Sequence, residues 1–137
     1  MTPYRSKVYL LPGTNLAEVT KQAHRILHDL ERRTRRKPYV RSAYFGKRKI
    51  FFDYFWNHVQ QKIAPERYRR FKLLPSAIDL IRYSRNQPTS LPNPHKRTER
   101  LHRFLGVTRE GHLFAVQIKE NLRSGRLYFM SCFPWKE

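Results

Sequence analysis

Between residues 100 and 134 one His, one Lys, one Tyr and two Arg fall at intervals that a small sheet could bring together: His102, Lys119, Arg123, Arg126 and Tyr128. An imidazole titrates near neutral pH without help from its surroundings, so His102 is the candidate acid or base. Lys119, Arg123 and Arg126 would stabilise negative charge on a phosphate. Tyr128 would position that phosphate or stack on a base, and Ser131 is a weaker member. Such a set can run metal-free RNA cleavage. A base takes the proton of a ribose 2′-hydroxyl, that oxygen attacks its own phosphate, cations hold the phosphorane, and an acid protonates the departing 5′-oxygen.

Three apolar-rich runs carry these residues: LHRFLGVT, HLFAVQIKEN and RLYFMSCF. They are joined by Arg-Glu-Gly-His and by Leu-Arg-Ser-Gly-Arg, which predicts an antiparallel meander. A first turn centred on Glu110-Gly111 sets Val107 opposite Phe114, Leu105 opposite Val116 and Arg103 opposite Ile118 on a packed face. The other face then holds His102 opposite Lys119, Phe104 opposite Gln117 and Gly106 opposite Ala115. A second turn centred on Ser124-Gly125 adds Asn121, Tyr128, Met130 and Cys132 to that open face. Glu120, the nearest carboxylate, turns toward the core in this register and ranks below His102 as a base. A slip of one residue would reverse that ranking.

The elements upstream must support the sheet. KVYLL (7–11) reads as a short strand closed by Pro12-Gly13. Asn15 and Glu18 form a capping box, and Leu16, Val19, Ala23, Ile26, Leu27 and Leu30 repeat at helical spacing, which predicts a helix over about 16–33. Aromatics flank a Gly-Lys-Arg-Lys turn after Pro38, as in a small hairpin or an irregular loop. Apolar positions 52, 55, 56, 59 and 63 return to helical spacing, and Pro65 and Pro75 suit the first positions of two further short helices. Residues 84–98, with three prolines, read as a loop. The expectation is one α+β domain over 1–137, with N-terminal helices (about 1–83) packed on a small C-terminal antiparallel sheet (99–135).

Charge names the class of partner. The 137 residues include 29 Lys and Arg against 10 Asp and Glu, a formal net charge of +19. A balance this basic implies a polyanion, and nucleic acid, RNA first, is the expected one. The candidate phosphate contacts are Arg32, Arg33, Arg35, Arg36 and Lys37 at the end of the first helix, Lys47 and Arg48 in the turn, and Arg67, Arg69, Arg70 and Lys72 interleaved with Tyr68 and Phe71. Two plainer roles compete: complementing a helix dipole, and forming a solvated helix face. An apolar content of 39%, 14% aromatic, can build a core and argues against a disordered tail.

Cys132 is the sole cysteine, which excludes an internal disulfide and a Cys-based zinc cluster and fits a reducing cytoplasm. The N-terminus, with four apolar residues before Pro12, reads as neither signal peptide nor membrane span. No metal or other cofactor is expected. The six His are scattered, His24 and His28 stand four apart without a clear third ligand, and there is no Walker motif and no nucleophile elbow.

The stretch LHRFLGVTREGHLFAVQIKENLRSGRLYFMSCFP resembles the sheet region of phage-associated members of the barnase–EndoU–colicin–RelE superfamily of small ribonucleases and toxins. There a His-containing strand is followed by a lysine and then by a Gly-Arg-x-Tyr strand. The resemblance implies helices preceding an antiparallel sheet whose open face holds the RNA site. It also implies a metal-independent endoribonuclease of toxin type, acting on RNA that is free or ribosome-bound, with an acidic antitoxin as partner. His102, Lys119, Arg123, Arg126 and Tyr128 would form the site. Region 38–83 is larger than such toxins need and would be a substrate-binding extension. The competing expectation is a non-catalytic nucleic-acid-binding accessory protein of a mobile element or ribonucleoprotein.

Overall fold

A computed structural model describes residues 2–35 and 37–136. The N-cap half of the expected capping box forms, and the Glu18 carboxylate reaches one residue further back than the N-cap N–H. Asn15 accepts from the Glu18 N–H at 3.0 Å, the Glu18 carboxylate accepts from the Thr14 N–H at 3.2 Å, and helix α1 runs Leu16–Thr34. Three shorter helices follow later in the chain: α2 (Phe55–Gln60), α3 (Ala64–Lys72) and α4 (Leu74–Tyr83). The last two each carry a proline in the first turn, where its missing N–H costs nothing.

The strands are β1 (Tyr4–Arg5), β2 (Tyr39–Ser42), β3 (Arg48–Phe51), β4 (Thr89–Asn93), β5 (Lys96–Val107), β6 (Leu113–Asn121) and β7 (Leu127–Pro134). They make one mixed sheet in the order β1-β5-β6-β7-β3-β2, with β4 also paired to β5. The C-terminal meander is antiparallel, but β1 joins β5 and β3 joins β7 in parallel. The fold is therefore α+β, and its sheet is not the purely C-terminal antiparallel one expected. The N-terminal half supplies three of its strands.

Two further expectations are corrected. Residues 7–11 are not a strand. Their N–H groups find side-chain and helix-end acceptors instead of a ladder: Lys7 on Asp79, Val8 on Ser6, Leu10 on Glu110 and Leu11 on the Lys72 carbonyl. Within the expected loop 84–98, Thr89–Asn93 forms an edge strand on β5 and residues from Lys96 belong to β5 itself. Pro92 is tolerated there because an edge strand leaves half its N–H groups outside the ladder.

Asp79 ties the N-terminus to α4. Its carboxylate accepts from the Tyr4 hydroxyl and the Ser6 hydroxyl, both at 2.9 Å. Burial, and then the Asp79 carboxylate, push the Tyr4 hydroxyl pKa up. Asp79→Ala leaves these donors unpaired and is expected to cost about 2 kcal/mol, measured by urea unfolding.

The core lies between one sheet face and the helices. Val19, Ala23, Leu27 and Leu30 of α1 and Leu74, Ala77, Leu80 and Ile81 of α4 are buried, as are Phe104, Phe114, Val116, Ile118 and Phe129 of the sheet. The Phe129 ring stacks on Phe52 at 4.5 Å and leans on Phe55 at 4.8 Å. Cys132 is fully buried beside them, and its Sγ donates to the Arg70 carbonyl.

The register of the first hairpin differs by one residue from the expected one, and that of the second by two next to its turn. The first connection is a three-residue loop: the Gly111 N–H bonds the Thr108 carbonyl, the Thr108 N–H bonds the His112 carbonyl, and Gly111 takes φ +95°. His102 consequently faces Ile118, Lys119 faces Leu101, Phe104 faces Val116, Leu105 faces Ala115, Arg103 faces Gln117 and Gly106 faces Phe114. The second connection is a four-residue loop in which the Asn121 side chain accepts from the Arg123 and Ser124 N–H groups. Tyr128 thus stays beside Lys119, while Cys132 pairs with Val116 on the packed face. The one-residue slip separates His102 from Lys119 and puts Glu120 on His102's side.

Candidate nucleic-acid interface and cleft

On the face away from the core, Leu101, Arg103, Gln117, Lys119, Tyr128 and Phe133 are half-buried. His58 of α2, Lys62 of the link after it and Arg70 of α3 reach the rim of this open face. Between them and the strands lies a cleft of about 400 Å³, whose polar lining is His58, Lys62, Arg70, Asn93, Glu99, Gln117, Lys119 and Ser131.

Glu99, only 6% exposed, organises the floor. Its carboxylate accepts from the Asn93 amide at 3.0 Å and lies 3.4 Å from Lys119 Nζ and 3.6 Å from Lys96 Nζ. Burial acts to raise its pKa, but the Asn93 hydrogen bond and the two ammonium groups outweigh it and hold the carboxyl below its ordinary range. The same contact fixes Lys119, whose Nζ also sits over the rings of Tyr54 (4.7 Å) and Tyr128 (5.3 Å). Arg70 donates to Ser131 Oγ and stacks over Phe133 at 5.2 Å. His58 is partly buried. Burial first, then Lys62 and Arg70, lower its pKa from the ordinary imidazole value, which favours the neutral ring. Three cations, one carboxylate and one imidazole thus share a single concavity.

The expected site residues do not all meet here. Lys119 does, with Tyr128 against it. His102 is buried on the opposite face, its Nε2 2.8 Å from Glu120 Oε1, its Nδ1 2.6 Å from Ser90 Oγ and its ring edge-on to Phe45. An ionised Glu120 requires Nε2–H as donor, so Nδ1 accepts from the Ser90 hydroxyl. The three groups pin β4 to the sheet. Arg123 is exposed in the second loop, and Arg126 reaches the Phe51 ring at 5.7 Å. Neither lines the cleft.

Of the expected phosphate contacts, Arg70 enters the cleft with its Nε 3.6 Å from Glu66 Oε2, and the others on its helix have partners too. Arg69 is paired with Glu66 at 2.6 Å, Arg67 donates to Gln60, and Lys72 donates to the Gly13 carbonyl. Arg32 is paired with Asp29 and Lys37 with Asp53. Arg35 forms the left-handed cap of α1, and Arg48 donates to the Gly125 carbonyl. Arg36 lies outside the described residues.

Arg33 and Lys47 belong to a second concavity. It is a groove of about 940 Å³ between the ends of α1 and α4 and the β2–β3 hairpin, where Arg41, Arg82, Arg85, Tyr39 and Tyr83 join them. Arg33 and Arg82 also border a smaller recess that holds Asp29 and Asp79. Those carboxylates have other partners, Arg32 for the first and Tyr4 and Ser6 for the second.

Sequence reasoning missed His58 and Glu99 as members of the cleft, and Arg41, Arg82 and Arg85 as members of the groove. One signal was present: Glu99 is a carboxylate inside the basic stretch HKRTER. Among the described residues no three His, Cys, Asp or Glu side chains gather as a metal-binding group, and no helix is long and apolar enough to cross a membrane. Protein-family models, curated proteins and solved structures give no match to the chain.

Proposed function

We propose that this protein binds RNA and cleaves it without a metal, in the cleft on the open sheet face, as a small ribonuclease related in architecture to barnase and RelE. The observation that supports this reading is His58 in one cleft with Arg70, Lys62 and a Lys119 fixed by Glu99, its pKa lowered toward the neutral ring. His58 takes the 2′-hydroxyl proton. Arg70 and Lys62 stabilise charge on the phosphorane. The Lys119 ammonium, positioned by Glu99, gives a proton to the departing 5′-oxygen. The products are a 2′,3′-cyclic phosphate and a free 5′-hydroxyl.

The test is incubation of purified protein with RNA in excess EDTA, with analysis of the ends. Cleavage to cyclic phosphate is expected, and none should occur where a 2′-deoxy residue precedes the bond. Intact RNA that nevertheless stays bound would leave a binding protein without this catalysis.

The pH profile tests the base. Because burial, Lys62 and Arg70 depress the His58 pKa, the neutral form persists below pH 6.5. The kcat/KM for a short RNA should therefore rise with pH through a midpoint below 6.5 and then level. Lys62→Gln removes one of the charges that depress it, so the midpoint should move upward.

A further inference from the structure

Among the described residues, the groove at the ends of α1 and α4 is lined by five cations, Arg33, Arg41, Lys47, Arg82 and Arg85, and by no carboxylate. Part of that charge has an internal task, since Arg33 lies in the last turn of α1 and Arg82 in the last turn of α4. Two helix C-termini present about half a negative charge each, which leaves roughly four positive charges without a counterpart in the groove. The cations are placed by different elements: Arg41 is braced across the hairpin by donating to the Lys47 carbonyl at 3.0 Å, and Lys47 holds a left-handed turn position at φ +67°. The floor is apolar, formed by Leu30, Val40 and Ala43.

Two tyrosines stand at the walls. Tyr39 is already covered by Arg41 and Lys49. Tyr83 is 66% exposed, and among the described residues no aromatic or cationic group stacks on it. An exposed ring beside a row of cations suits an unstacked base and its flanking phosphates. A duplex keeps its bases stacked on one another and offers none to the ring. An acidic peptide would match the charge and leave the ring unused.

We propose that this groove is a second nucleic-acid site that holds a single-stranded segment of RNA, with a base on Tyr83 and phosphates on Arg33, Arg82 and Arg85. It rests on the RNA reading above, but uses residues separate from the cleft. The protein would accordingly grip its substrate at two places and favour chains long enough to reach both.

The experiment uses the full chain and two substrates: a fluorescent 2′-O-methylated single strand, which cannot be cleaved, for anisotropy at several salt concentrations, and an RNA dinucleotide for cleavage. Arg33, Arg82 and Arg85 are all exposed, so the triple variant Arg33→Glu/Arg82→Glu/Arg85→Glu should fold, which circular dichroism checks. It should bind the strand roughly 100-fold more weakly at about 0.1 M salt, and its salt slope should fall by about 2. Tyr83→Ala should weaken strand binding roughly tenfold. Both variants should cleave the dinucleotide like wild type. Unchanged affinity and slope in the triple variant overturn the groove, and an unchanged Tyr83→Ala overturns its single-strand assignment. If wild type leaves the dinucleotide intact while the variants lose the strand, the groove stands and the cleavage reading falls.

Discussion

His58→Ala is expected to lower kcat for a short RNA by about 10²–10⁴-fold, the usual contribution of a positioned proton acceptor. Affinity for a non-cleavable strand should change little, because Lys62, Arg70 and Lys119 still present their charge to the phosphates. The informative partner is His102→Ala. His102 sits on the packed face, bonded to Ser90 and Glu120 and against Phe45. Its loss should leave kcat near wild type and instead lower stability by about 1–3 kcal/mol, as two polar groups lose their partner. Kinetics and urea unfolding on the same pair of proteins separate the two assignments. A folded His102→Ala protein that is inactive, beside an active His58→Ala, would show that the cleft is not the catalytic centre.

The second large effect is Gly106→Ala. A Cβ at this position would lie 2.5 and 2.7 Å from the Phe114 ring and 2.9 Å from Leu80 Cδ1. Both neighbours are fully or nearly fully buried, so neither can swing into solvent. The ring of Phe114 lies across the strand where a side chain would be, and the methyl group must displace it or push α4 off the sheet. Overpacking of this kind costs about 1–3 kcal/mol, and this contact belongs at the upper end. Against a domain stability of about 5–15 kcal/mol, that is a visible drop in the urea midpoint. Gly106→Ala combined with Phe114→Leu should cost less than the sum of the two single changes, because the smaller side chain vacates the space.

That packing also explains what was legible in the sequence. Helix α1 was readable to within a residue because its capping box and apolar period are local signals. Each meander strand was readable for the same reason. Register was not, because it depends on whether Arg109-Glu110-Gly111 closes with two residues or three, and Gly111 fits both turns. A pairing decides it: Gly106 opposite Phe114 fills the space over the glycine, whereas Gly106 opposite Ala115 would leave it empty. The cleft was less legible still. Lys119 was found because it lies in the meander, whereas His58 and Glu99 reach it through non-local packing of α2 over the sheet and through β5 starting near Lys96 rather than near residue 100. The parallel pairing of β3 with β7 depends on the same long-range packing.

The lone thiol of Cys132 becomes a clock for the protein's breathing. It is sealed between β7 and α3, bonded to the Arg70 carbonyl, and burial pushes its pKa well above that of an ordinary thiol. A disulfide reagent can therefore react only in the moments when α3 lifts away from β7. The labelling half-life reads the frequency of that opening in the unmodified chain, with no engineered probe. Arg70 is on the helix that must lift and Lys119 is on the sheet it leaves, so a strand bridging the two would slow the clock.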